Sequence, residues 1–80
     1  MSKLKQLNRV VERKENNLRN AGKYIETTLS NYETCVLRGD MYGASIHMSS
    51  IKIMSEQYMI DYRHICEFKS MIAQIEGEAA

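Results

Sequence analysis

The stretch ASIHMSSIKIMSEQYMIDYRHICEFKSMIAQI, residues 44–75, decides the fold of this 80-residue chain. Its apolar residues fall into sets of seven-residue steps. Ala44, Ile51, Tyr58, Ile65 and Ile72 form one row, with Met54, Phe68 and Ile75 in a companion row. Ile46, Ile53 and Ile60 form another on the far side of the same helix. Residues three, four and seven apart share one face of an α-helix, so the pattern is helical and two-faced. A helix with two apolar faces needs more than one neighbour.

Upstream, Lys3 to Leu37 repeats the signal. Leu4, Val11, Leu18, Ile25 and Tyr32 stand at seven-residue steps. Leu7, Ala21 and Thr28 fill the second row, joined by Leu29 and Val36 toward its end. This is the a/d heptad of a coiled-coil seam. Gly22 costs about 1 kcal/mol relative to Ala inside a helix, and marks a bend or a break after Ala21. Between the two segments, Arg38-Gly39-Asp40 has the chemistry of a turn. Gly39 takes the left-handed conformation past a helix end, and Asp40 or Ser45 caps the next helix. With no Pro anywhere in the chain, nothing else interrupts the helices. The expected fold is all-α: an antiparallel two-helix coiled-coil hairpin, associating into a four-helix bundle or with a partner. Helix one spans about 3–37, the turn 38–40 and helix two about 41–75, with 77–80 frayed.

Folding back at Gly39 pairs residues whose numbers sum to about 79. Leu4 then meets Ile75, Val11 meets Phe68, Ala21 meets Tyr58, Ile25 meets Met54 and Thr28 meets Ile51. One register satisfies both helices. Three layers carry polar groups: Leu18 faces Asp61, Lys14 faces Ile65 and His47 faces Tyr32. Lys14 and Asp61 sit in neighbouring layers, within reach of a cross-helix ion pair that fixes register more than it adds stability.

The net charge of +1 hides an asymmetry. Lys3, Lys5, Arg9, Arg13, Lys14, Arg19 and Lys23 outweigh Glu12 and Glu15 in the first arm, leaving the remainder acidic. Such an arm pairs with its own acidic remainder, the simpler reading, or seeks nucleic acid or an acidic surface. The two cysteines, Cys35 and Cys66, make neither a disulfide framework nor a metal motif; Cys66 is expected to be buried and reduced, the alternative being a dimer-interface thiol beside Met59. His64 and Cys66 are two apart and face different directions on a helix. Asp61, three before His64, is expected to pair with it on the solvent face. No catalytic residue, metal site or cofactor site is expected, and the chain does not read as an enzyme. With no run long enough to span a bilayer and a polar, charged start, the expected location is the cytoplasm, off the membrane.

The unclaimed row of helix two is the functional signal. Tyr42, Ile46, Ser49, Ile53, Met59 and Ile60 form the candidate partner-binding set. Its large apolar residues would anchor a partner helix, and its serines would let that helix approach closely. The alternative is a dimeric four-helix-bundle regulator binding nucleic acid through Lys3, Lys5, Arg9, Arg13 and Arg19.

A start of the form Leu4-x-x-Leu7, then Val11-Glu12, Glu15 and Leu18, resembles the FliJ-type coiled-coil export chaperones of flagellar and type III secretion systems. Gly39 followed by Ile46, Met48, Ile51 and Met54, with Ile65 further on, extends the resemblance over most of the chain. It implies an antiparallel hairpin that engages an export ATPase and cargo chaperones. It implies no individual site residue, and this chain is much shorter than those proteins usually are.

Overall fold

The computed structural model describes residues 2–79. Two helices account for nearly all of them: α1, Lys3–Leu37, and α2, Met41–Ala79. They lie against each other along their whole length in a rod of 60 × 16 × 15 Å. The fold is the all-α antiparallel hairpin.

Local chemistry explains each boundary. Ser2 caps α1, its hydroxyl accepting the Lys5 backbone N–H at 3.2 Å. At the other end, the Asp40 N–H donates to the Cys35 carbonyl at 2.8 Å and the Gly39 N–H to the Val36 carbonyl at 3.1 Å. Those two bonds make a Schellman closure, which requires Gly39 at its φ of 76°. Asp40 then starts α2, its carboxylate accepting the Gly43 N–H at 2.9 Å. A cap of this kind contributes about 1 kcal/mol, and Ser45 plays no such part. A side chain at Gly43 would force the Asp40 cap to shift. A Cβ there would stand 2.5 Å from an Asp40 carboxylate oxygen and 3.0 Å from Cys35 Sγ.

Two expectations about helix continuity are settled by the backbone. α1 passes through Gly22 without a break. The missing side chain leaves ordinary clearance to Tyr58, whose Cε2 would lie 3.8 Å from a Cβ at that position. α2 does not end near Ile75 but runs on to Ala79. Glu76, Glu78 and Ala79 are good helix formers, and each added residue gains a backbone hydrogen bond, which outweighs the cost of Gly77.

The two heptad rows meet as the register requires. Leu7, Val11, Ile65 and Ile72 are buried together, with Leu4, Leu18, Phe68 and Ile75 packed around them. Ala44 is buried near the turn. Thr28 is also buried, its hydroxyl satisfied by donating to the Tyr24 carbonyl at 2.9 Å. Lys14 and Asp61 form the cross-helix ion pair, at 3.7 Å with both side chains about three-quarters covered. Asp61 also accepts from Gln57 at 3.4 Å and is engaged there rather than with His64. A second pair, Lys69 with Glu15 at 3.7 Å, is more exposed.

Candidate partner-docking face

The seam consumes one face of each helix and leaves the rest to solvent. On α2, every residue of the candidate set is exposed: Tyr42, Ile46, Ser49, Ile53, Met59 and Ile60. Ile53, at the centre of the row, is 67% exposed. The seam residue Ile65 is 5% exposed on the same helix. The Ile46–Ile53–Ile60 row therefore has no covering group among the described residues.

The structure adds apolar surface that periodicity alone assigned elsewhere. Leu29 and Val36, read as joining the α1 seam, are 46% and 40% exposed. Each follows a seam residue, Thr28 or Cys35, and one step turns the side chain about 100° away from the contact. Met48 and Tyr62 are exposed on α2. Cys66 is exposed too, not buried, because it follows Ile65 by one residue and shares that rotation.

These residues are not spread evenly along the rod. Of the fourteen large hydrophobic residues that stand exposed among the described residues, only Val10 and Met71 lie outside the stretch from Tyr24 to Tyr62. The packed cluster of Leu7, Val11, Ile65 and Ile72 occupies the opposite, open end. Between Tyr24 and Tyr58 only Thr28 and Ala44 are fully buried, while the seam residues Ile25, Tyr32, Ile51, Met54 and Tyr58 are half-buried. The charged residues there are few: Glu26, Glu33, Arg38, Asp40, Lys52 and Glu56. The turn half thus combines a half-covered interior with an apolar exterior. The open half does the reverse.

Two shallow grooves join the seam to the exposed row. One, of about 330 Å³, is lined by Gly22, Ile25, Ser55, Tyr58 and Met59. The next, of about 470 Å³, is lined by Ser55, Glu56, Met59, Ile60 and Arg63. Gly22 opens the first by presenting no side chain, and Ser55 and Met59 are shared by both. A side chain from a helix laid along α2 can enter either.

The basic arm is not neutralised by the rest of the chain. Of its seven cations only Lys14 forms an ion pair among the described residues. Arg19 donates to Asn16 at 3.3 Å instead. Lys5, Arg9 and Arg13 recur every four residues and so share the outer face of α1, away from Asp61, Glu67, Glu76 and Glu78 on α2. Arg9 and Arg13 flank a groove with Gln6 and Val10. Pairing with the acidic remainder, the simpler reading of this arm, is met at Lys14 with Asp61 and at no other arm cation among the described residues.

Among the described residues no three His, Cys, Asp or Glu side chains come together as a metal site. No described helix is long and apolar enough to cross a membrane. Comparison with family models, with curated proteins and with solved structures finds no match to this chain.

Proposed function

We propose that this protein is a non-enzymatic adaptor or chaperone that docks an amphipathic helix of another protein chain on the outer face of α2. The observation that carries the reading is the Ile46–Ile53–Ile60 row, half or more exposed at its centre while the seam rows of the same helix are covered. Exposed isoleucines at seven-residue spacing match the i, i+3, i+4, i+7 anchors of a helix laid alongside. Tyr42, Ser49 and Met59 border the row, offering an aromatic anchor, a close-approach point and an adaptable thioether. The resemblance of the heptad pattern to FliJ-type chaperones supports the reading of such an adaptor as part of a bacterial type III or flagellar secretion system, working in the cytoplasm. A photo-reactive residue at Ser49 is expected to cross-link to the partner, and Ile53→Asp with Ile60→Asp to abolish the product. Equal cross-linking by the double variant rules this face out.

The cations that form no ion pair among the described residues support a second reading, a regulator binding nucleic acid through Lys3, Lys5, Arg9, Arg13 and Arg19. Phosphate contacts from five cations give an affinity that falls steeply as salt rises. On this reading mixed-sequence nucleic acid binds at low salt and is released between about 50 and 200 mM salt. No binding at low salt disposes of it.

A further inference from the structure

We propose that the first occupant of the α2 face is α2 of a second copy, laid antiparallel about a two-fold axis at Ile53. This rests on the reading of the Ile46–Ile53–Ile60 row as a docking face, and it names the helix that fits there.

The residues on that face are self-complementary in one direction only. Ile46 and Ile60 stand seven residues either side of Ile53. An antiparallel copy therefore sets Ile53 on Ile53 and Ile46 on Ile60, twice over, as an isologous contact demands. The same reflection sets Arg63 against Gly43 and Glu56 against Ser50. Glu56 and Arg63 each meet a small residue, and Lys52 meets the uncharged Met54. No like charges are opposed. A parallel copy would stack Lys52 on Lys52, Glu56 on Glu56 and Arg63 on Arg63, each a repulsive pair.

The charge of the whole hairpin points the same way. The basic arm lies in the open half, where Lys14 pairs with Asp61 and Glu15 with Lys69. Antiparallel overlap of the turn halves sends the two arms to opposite ends of the dimer. At 1.5 Å per residue, the stretches around Ile65 in the two copies stand about 35 Å apart, several times the screening length of about 8 Å at physiological salt. Parallel overlap would place the arms side by side. The overlap also falls in the half of the rod where most of the exposed large apolar residues of α2 lie, from Tyr42 to Tyr62.

The geometry is tested by mass and by distance. Light scattering across concentration is expected to show a dimer, and Ile53→Asp, which sets two carboxylates on the axis, to weaken it by about 100-fold or more. Circular dichroism on the same samples confirms that the variant keeps its helices. A spin label at Gln74→Cys, with Cys35→Ala and Cys66→Ser, lies twenty-one residues from the axis. The antiparallel dimer then gives a label separation of about 60 Å by helical rise, against under about 20 Å for parallel neighbouring helices. The short distance overturns the proposal, as does a dimer indifferent to Ile53→Asp. A monomer at every concentration that still cross-links a foreign helix through Ser49 overturns self-pairing alone. A monomer that captures nothing there overturns the docking face as well.

Discussion

Ile65→Ala is expected to lower the stability of the hairpin by about 3 kcal/mol. Ile65 is 5% exposed and lies in the cluster with Leu7, Val11 and Ile72, flanked by Leu18 and Phe68. Truncation removes three carbons from that contact and leaves a void that two straight helices cannot close without bending. For a chain of this size the loss corresponds to a fall in melting temperature of about 12 °C or more. A small single-core domain has little stability in reserve, so the variant is expected to be partly unfolded at room temperature. Leu37→Ala supplies the control. Leu37 is 82% exposed, and its truncation is expected to change stability by less than about 0.5 kcal/mol. Thermal unfolding followed by circular dichroism reads both. Equal effects at the two positions would mean that the open-end cluster is not what anchors the fold.

Inserting one alanine between Arg19 and Asn20 is expected to do more damage than any single substitution. One extra residue turns everything upstream by about 100° relative to the rest of α1. The seam positions held by Leu4, Leu7, Val11, Lys14 and Leu18 would then present Lys5, Asn8, Glu12, Glu15 and Arg19. The cluster around Ile65 and Ile72 loses every α1 contact at once, and no cooperative unfolding transition is expected to survive. An insertion of seven alanines at the same point returns the apolar row to the seam, one heptad out of place. That variant is expected to fold. The contrast isolates helical phase from the mere presence of an insert.

The phase of each row was legible before any coordinate. Leu4 to Tyr32 and Ala44 to Ile72 fix the phase of both helices, and Gly39-Asp40, by its turn chemistry, marks the reversal that selects the register within that phase. Covering was less legible. A seven-residue step tells which residues share a face, but not how far a seam of small side chains shields its flanks. Leu29 and Val36 therefore read as seam residues and stand exposed, because Thr28 and Cys35 hold the contact. Cys66 was misplaced for the same reason. The candidate row of α2 stood out because it lies farthest from the seam. The wider apolar surface of the turn half, Met48 and Tyr62 included, did not, since its parts belong to different rows. That only Lys14 of the basic arm finds an ion-pair partner among the described residues is also invisible in a charge count, which reports totals and not directions.

The order of folding is constrained by where the packing lies. A hairpin grows most easily outward from its turn, because contacts beside Gly39 close the shortest loops. Here those first layers join small residues such as Cys35, Gly43 and Ala44 and return little. The contacts that return most, Leu7 and Val11 with Ile65 and Ile72, close loops of roughly fifty residues, at an entropic cost of about 3 kcal/mol for the length alone. The chain must close these small first layers, and then the half-buried layers of Ile51, Ile25 and Met54, before it reaches its fully buried anchor. Whatever covers the turn half, whether a second copy or another helix, therefore acts on the folding rate as well as on the finished structure, by stabilising the layers that have to form first.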